Sequence, residues 1–230
     1  MASVDVEWTK NYKIANGNVP FCWSVIWLQV PGRGGAMVPE EFAFTSAYVG
    51  GSSQTQELIA AADAQIGCVL DHADVVVGHQ VSSDIAVLRN TSAVQLPALG
   101  ELRERWHARR HADVGPAVVD TRYDVGAIVA GTSRRLVDVC GELGLDVTQP
   151  ELRGTSMTAL HRRWLDHGDT SARERITVLN LRHSLSAGYV ALRTAGLARW
   201  TGSVPVNRVL DYQLSGKYRW LESPAFRRLL

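Results

Sequence analysis

The amino-acid sequence predicts a mixed α/β fold, in which a mixed β-sheet is flanked by α-helices on both sides. The chain begins with segments that have the composition of three successive strands separated by turns. A segment with helical spacing of apolar residues follows, and short buried strands then alternate with further helices. A meander of strands followed by alternating helix and strand is typical of a mixed sheet covered by helices.

The composition is that of a globular protein of 230 residues, which is long enough to bury one large core. There is no run of 18 or more apolar residues, so we expect no transmembrane helix and no membrane partner. The first residues lack the basic start and apolar stretch of a signal peptide. Cys22, Cys68 and Cys140 are far apart in apolar contexts, which predicts buried free thiols in a reducing compartment. These features predict a soluble cytoplasmic protein.

The predicted first strand spans residues 3–8 and carries Asp5 and Glu7. Side chains at i and i+2 lie on the same face of a strand, so we expect these two carboxylates to project together. Val4 and Val6 would then face the core. Close carboxylates repel one another and usually have a cation beside them, and Mg²⁺ prefers a few carboxylate oxygens. The pair therefore indicates either a metal site or the polar face of an ordinary strand.

The remaining elements are predicted from periodicity and turn signals. We expect further strands over 20–30, within 36–45, over 73–79 and over 117–121, and helices over 54–72, 84–89, 96–110, 123–129, 134–143, 157–167 and 173–197. Asp84 follows a buried strand and opens a helix that Ser82 or Ser83 could cap. Asp84 is therefore either a residue that favours the helix start or a third carboxylate beside Asp5 and Glu7.

The last part of the chain is basic and aromatic. From Arg182 onward there are eight Lys and Arg residues against two Asp and Glu residues. We divide the chain into a domain over 1–198 and an extension over 199–230. The extension either contacts a nucleic-acid backbone and stacks bases, or forms a docking or homodimerising arm whose aromatic residues cover the core.

Motifs in a characteristic order resemble the DEDD superfamily of 3′–5′ exonucleases. They are Asp-x-Glu at 5–7, Gly-His-Gln-x-x-x-Asp at 78–84, Val-Val-Asp-Thr at 118–121 ahead of 134–145, and a late helix that carries His183. The resemblance covers 2–145 and 171–197. It implies a ribonuclease-H-like fold and hydrolysis of phosphodiester bonds at the 3′ end of single-stranded DNA or RNA. It also implies two Mg²⁺ or Mn²⁺ ions.

The resemblance implies roles for individual residues. Asp5, Glu7 and Asp84 match metal ligands, and His183 matches the general base, which acts together with Glu7 in catalysis. Trp8 and Thr9 follow the acidic pair, at a position that packs against the terminal nucleotide. His79 could approach the nucleic acid or support its own loop, and Asp120 and Thr121 match a supporting strand end.

The chain departs from the family pattern at the fourth carboxylate. The His-type pattern places Asp five residues after His183, where this chain has Gly188. The Tyr-type pattern instead places His183 at the Asp position and Leu179 at the tyrosine, which fits less well. Asp166 or Asp169 could substitute for the missing ligand. Three functions stay open: a 3′–5′ exonuclease, a degenerate relative that binds nucleic acid or protein without cleavage, and a phosphoesterase acting on a small nucleotide.

Overall fold

The computed structural model describes residues 1–9, 17–30, 40–111, 117–125, 129, 131 and 133–230, and the predicted mixed α/β class is confirmed there. Five strands form the main sheet: β1 (Ala2–Thr9), β2 (Val19–Trp27), β3 (Ala43–Tyr48), β4 (Val75–Gly78) and β5 (Ala117–Asp120). A second, parallel pair consists of β6 (Leu145–Asp146) and β7 (Val204–Pro205). The helices are α1 (Thr55–His72), α2 (Val81–Thr91), α3 (Pro97–Ala108), α4 (Leu136–Glu142), α5 (Met157–His167), α6 (Thr170–Thr194), α7 (Val206–Leu214) and α8 (Pro224–Arg227).

The strand order β3-β2-β1-β4-β5 places β1 at the centre of the main sheet. β1 is antiparallel to β2 along its whole length but pairs in parallel with β4 only at Ala2 and Ser3. β4 ends at Gly78, whereas β1 continues to Thr9. The carboxyl half of β1 therefore extends past the end of β4, at the point where the sheet changes from antiparallel to parallel pairing. Sites in open α/β sheets commonly lie at such a change of direction.

The two faces of β1 differ in chemistry, as the alternation of its sequence predicts. Val4 and Val6 are buried in a hydrophobic cluster with residues of α1, α2 and α3. The opposite face carries Ser3, Asp5 and Glu7 towards α6. There, the Ser3 hydroxyl donates to the Ser184 carbonyl at 2.6 Å. α6 is consequently buried along most of its length, with polar groups on the side that meets β1.

The C-terminal residues are part of a second hydrophobic cluster. Leu210, Leu214, Trp220 and Phe226 are buried in it together with side chains of α6. Trp220 is 9% exposed, and its indole N–H donates to Glu151 Oε1 at 2.9 Å. Trp220 and Phe226 therefore cover the core while Tyr212 is 71% exposed, and a docking, homodimerising or nucleic-acid-binding role of this segment stays a prediction.

Some predicted elements differ in their bounds. The third strand was placed too early, because β3 begins at Ala43 and continues to Tyr48, while 31–39 lie outside the described residues. In the described part of the helix predicted over 123–129, residues 123–125 are not helical. The amides of Tyr123 and Asp124 both donate to the Asp120 carbonyl, which closes a turn directly after β5.

Two residue-level predictions were also wrong. Ser82 and Ser83 do not cap α2, because the helix begins at Val81 after Gln80, whose φ of 67° is left-handed. Cys22 and Cys140 are buried free thiols as expected, but Cys68 is exposed, since it lies on the outward face of α1. In the part of the chain that the structure describes, no helix is long and apolar enough to cross a membrane.

Candidate metal centre

Asp5 and Glu7 meet His183 in a cluster between β1 and α6. The Nδ1 atom of His183 lies 2.9 Å from Glu7 Oε1 and 3.6 Å from Asp5 Oδ2. The side-chain amide of Asn180 donates to Asp5 Oδ2 at 2.6 Å. Asn180 and His183 are three residues apart in α6, so they project from the same face of the helix. One turn of α6 thus holds both carboxylates of β1.

Asp84 is a third buried carboxylate close to this cluster. It lies in the first turn of α2 and is 5% exposed. Its Oδ2 atom is buried and has no hydrogen-bond partner among the residues described. Asp84 and Asp5 both line a cavity of about 20 Å³, whose other walls include Val4, Val6 and Ile85. Because its walls are mostly apolar side chains on the face of β1 opposite Glu7 and His183, this cavity is a gap in the hydrophobic core and not an ion site. A buried charged oxygen without a partner is costly, so either the neutral form of Asp84 or a neighbouring cation would be favoured here.

The cluster carries more acidic than basic groups, and the pKa values reflect this. Burial raises the pKa of Asp5 to about 6, although the hydrogen bond with His183 opposes the change. Burial, followed by the charges of Asp5 and Glu7, raises the pKa of Asp84 well above its ordinary value. Burial disfavours the charged form of His183, but its hydrogen bonds with Asp5 and Glu7 prevail and raise its pKa to about 10. In the absence of a metal ion, the two carboxylates thus favour a proton on Nδ1 of His183.

The donor atoms fit a divalent ion. Asp5, Glu7 and His183 each offer one ligand atom, and these atoms lie within 4.8 Å of one another. Carboxylate oxygens suit Mg²⁺ and Mn²⁺, and an imidazole nitrogen suits first-row transition ions. Asp84 is not a member of this group, but the charges of Asp5 and Glu7 act on its carboxyl group.

Both ring nitrogens of His183 have protein partners. Nδ1 faces Glu7 and Asp5, and Nε2 lies 2.8 Å from the amide nitrogen of Gln149. Gln149 precedes the 3₁₀ turn Pro150–Leu152 and approaches α6 from the loop after β6. For His183 to accept a proton from water at Nε2, water would have to replace the Gln149 amide there.

Gly188 does not face the cluster. A Cβ atom built on Gly188 would lie 2.8 Å from Leu28 Cδ1, 3.5 Å from Ser3 Cβ and 3.7 Å from Met1 Cε. Gly188 therefore packs against the beginning of β1 and the end of β2, about 7.5 Å further along the axis of α6 than His183. The residues of α6 that meet Asp5 and Glu7 are His183 and Asn180.

The two acidic residues considered as substitutes lie elsewhere. Asp169 is the N-cap of α6, where its carboxylate accepts from the Ala172 amide at 3.0 Å and pairs with Arg163. It precedes His183 by fourteen residues, which is about 20 Å along a helix. Asp166 is exposed on α5. Neither carboxylate completes the cluster.

His79 and Asp120 brace the loop that follows β4. His79 Nδ1 lies 3.0 Å from Thr121 Oγ1, and its Nε2 lies 2.9 Å from the Arg134 carbonyl. Burial lowers the pKa of His79 to about 4, so the ring is neutral. Asp120 accepts from the Gln80 amide at 2.8 Å and from the Trp106 indole at 2.9 Å. These contacts give both residues a supporting role in this loop.

Trp8 and Thr9 lie at the end of β1, beyond Glu7. Trp8 is partly buried and packs against the first hydrophobic cluster. The Thr9 hydroxyl lies 3.4 Å from the Val19 carbonyl, to which it donates. Both residues are thus near the carboxylates along the strand, and their contact with a nucleotide stays a prediction.

Sequence reasoning missed Asn180 and Gln149. Asn180 could have been found, because it precedes His183 by three residues on a predicted helix and so shares its face. Gln149 carries no such signal, since it reaches His183 from a loop 34 residues away in sequence.

Comparisons with known proteins leave the chain without an assigned relative. No family model, no curated protein and no solved structure matches it.

Proposed function

We propose that the chain is a metal-dependent 3′–5′ exonuclease that hydrolyses phosphodiester bonds at single-stranded nucleic-acid ends. The observation that carries the proposal is the convergence of Asp5, Glu7 and His183, whose donor atoms lie within 4.8 Å of one another, with the buried carboxyl group of Asp84 near enough to feel the charges of Asp5 and Glu7. The resemblance to the DEDD exonucleases was drawn from motifs that include these three residues. A mixed sheet with two carboxylates on its central strand supports the ribonuclease-H-like fold that the resemblance implies.

Asp5, Glu7 and Asp84 would hold the divalent ion. When bound, such an ion lowers the pKa of a coordinated water and stabilises negative charge on a phosphate. Neighbouring side chains hold Asp5 and His183 in fixed orientations. Asn180 fixes the orientation of Asp5 through the 2.6 Å hydrogen bond, and Gln149 fixes the ring of His183. The side chains of Asp5, Glu7 and His183 are only 14%, 7% and 21% exposed, and limited contact with bulk water strengthens electrostatic interactions there.

The unpaired stretch of β1 is where the proposal places the substrate end. The carboxyl half of β1 is not paired with β4, which ends at Gly78. Trp8 follows Glu7 on this stretch and offers an aromatic face on which a terminal base could stack without sequence preference. A strand end, rather than an internal bond, is the substrate that the proposal requires.

The direct test uses single-stranded DNA and RNA oligonucleotides that carry a 5′ label. In Mg²⁺ or Mn²⁺, the proposal expects a ladder of products that shorten by one nucleotide at a time from the 3′ end. Release of the labelled 5′ nucleotide first, or cleavage only at internal positions, would contradict it.

A second candidate is a degenerate relative that binds nucleic acid without cutting it. Two observations favour it: Gly188 brings no carboxylate to the cluster, and both ring nitrogens of His183 are engaged. This candidate expects binding of the oligonucleotide without turnover, and an affinity that falls steeply as salt rises.

A further inference from the structure

We infer that His183 is a metal ligand through Nδ1, with Gln149 as its positioning residue, and that the centre therefore prefers Mn²⁺ and other first-row transition ions to Mg²⁺. This inference rests on the proposed metal-dependent function and assigns His183 a role different from that of a general base. It concerns which atoms hold the ion.

The imidazole of His183 faces the two carboxylates. Nδ1 points at Glu7 Oε1 and Asp5 Oδ2, at 2.9 Å and 3.6 Å, so an ion shared by the two carboxylates would be within reach of this nitrogen. The side chain is only 21% exposed, and α6 holds it on the same face as Asn180. A histidine that takes a proton from an attacking water needs one nitrogen facing that water, whereas here Nδ1 faces the ligands.

Nε2, the other ring nitrogen of His183, contacts Gln149. A histidine that binds a metal ion through one nitrogen usually donates its other N–H to a fixed acceptor, which sets the tautomer and the ring orientation. The side chain of Gln149 occupies that place, with its amide nitrogen, a donor, 2.8 Å from Nε2. A carboxamide can present either its oxygen or its nitrogen by rotation, so Gln149 can accept the Nε2 proton once Nδ1 is bound to the ion.

Independent support comes from Asp84, which belongs to a different helix. This carboxyl group is 5% exposed, has a buried oxygen with no partner in the described ranges, and lies close enough to Asp5 and Glu7 to interact with their charges. The charge that it brings is not matched by any hydrogen bond to that oxygen. A cation bound by Asp5, Glu7 and His183 would also reduce the repulsion between these carboxylates and Asp84.

Metal preference follows from the mixed donor set. Mg²⁺ binds oxygen ligands almost exclusively and keeps several waters, while an imidazole nitrogen raises the affinity for transition ions. Replacing His183 by a carboxylate should therefore move the preference towards Mg²⁺. We expect the His183→Asp variant to lower the ratio of Mn²⁺ to Mg²⁺ affinity by about tenfold or more. In Gln149→Ala, Mn²⁺ binding should weaken by about tenfold.

The test is electron spin echo spectroscopy of the full chain with one equivalent of Mn²⁺, which detects ¹⁴N coupled to the bound ion. The inference expects ¹⁴N modulation in the wild type, its loss in His183→Gln, and its retention in His107→Gln, which changes an exposed histidine on α3. Circular dichroism of each variant verifies that it is folded. If His183→Gln does not fold, Gln149→Ala must still weaken Mn²⁺ binding and alter the modulation.

The outcomes separate this inference from the proposed function. Mn²⁺ that binds in an Asp5-dependent way but shows no ¹⁴N modulation would overturn the ligand role of His183 and leave metal-dependent hydrolysis standing. Unchanged affinity and modulation in His183→Gln would overturn it equally. Absence of any Asp5-dependent Mn²⁺ binding would overturn both proposals.

Discussion

Glu151 and Arg182 form an ion pair through two hydrogen bonds, of 2.6 Å and 2.8 Å, and neither side chain is exposed to solvent. Glu151 follows Gln149 by two residues, and Arg182 directly precedes His183. The pair therefore fixes the loop that carries Gln149 to the turn of α6 that carries His183. Asn207 strengthens this link, because it accepts from Arg182 Nε and donates to the Thr148 carbonyl.

Breaking this pair should destabilise the protein strongly. In Arg182→Met, the carboxylate of Glu151 stays buried without its partner, which typically costs about 3 to 5 kcal/mol of unfolding free energy. The matched change Arg135→Met removes an exposed partner of Asp138 and should cost less than about 1 kcal/mol. Urea denaturation of the wild type and both variants measures the difference. Equal losses of unfolding free energy in the two variants would contradict the prediction that the buried pair stabilises the protein more than the exposed pair does.

Gly188→Asp should not complete the metal centre. Its Cβ would lie 2.8 Å from Leu28 Cδ1, and the new carboxylate would be buried near Met1 rather than near Asp5. We expect a lower melting temperature and no gain in Mn²⁺ affinity, measured by calorimetry. Gly188→Ala is the control for the steric contact alone. Tighter Mn²⁺ binding by the aspartate variant would show that this position faces the centre.

Asp84→Asn should stabilise the metal-free protein but reduce the additional stabilisation that Mn²⁺ gives. The wild-type carboxylate has a buried oxygen without a partner in the described structure, so its neutral replacement should raise the unfolding free energy of the metal-free protein by about 1 to 3 kcal/mol. The same change should reduce the stabilisation by Mn²⁺, because a ligand is lost. Thermal melts with and without Mn²⁺ measure both effects, and Asp71→Asn, an exposed change on α1, is the control. If the metal-free Asp84→Asn variant were less stable than the metal-free wild type, the prediction that the buried carboxyl group destabilises the metal-free protein would be wrong.

His161 should make stability depend on pH in weakly acidic solution. Burial lowers its pKa to about 4 from the ordinary 6.5, and its Nδ1 lies 2.9 Å from the Tyr48 hydroxyl. Between pH 6.5 and about 4, His161 therefore binds a proton in the unfolded chain but not in the folded protein. Its contribution to the unfolding free energy is present above pH 6.5 and is lost as the pH falls towards 4.

The contribution of His161 over this range is about 2 to 3 kcal/mol. His161→Gln should flatten the pH dependence of unfolding free energy between pH 6.5 and 4, measured by urea denaturation at several pH values. His167→Gln changes an exposed histidine of the same helix and should keep the wild-type slope. Parallel curves for the wild type and His161→Gln would show that His161 does not carry this dependence.

Local sequence patterns predicted much of the fold. The alternation in β1 placed Asp5 and Glu7 on one face, and apolar spacing located α1 and α5 almost to their ends, because both signals depend only on neighbours along the chain. The start of α2 was missed, since Gln80 adopts a left-handed conformation that its type does not favour. Cys68 was misplaced because its apolar neighbours in sequence lie on the other face of α1.

The candidate site depends more on tertiary packing. The motif series grouped Asp5, Glu7, Asp84 and His183, but whether His183 or Gly188 faces the carboxylates depends on how α6 is rotated against the sheet. That rotation is set by contacts such as Ser3 with Ser184, which no local pattern encodes. Gln149 reaches the site only because the buried pair of Glu151 and Arg182 holds its loop in place.

The most direct test of the central claim is the release of mononucleotides from a single-stranded oligonucleotide in Mg²⁺ or Mn²⁺, compared with the same reaction in EDTA. We predict that the wild type and the surface control Asp71→Asn release mononucleotides, and that Asp5→Asn, or any of these proteins in EDTA, does not. Equal release by the wild type and Asp5→Asn, or release that persists in EDTA, would contradict it.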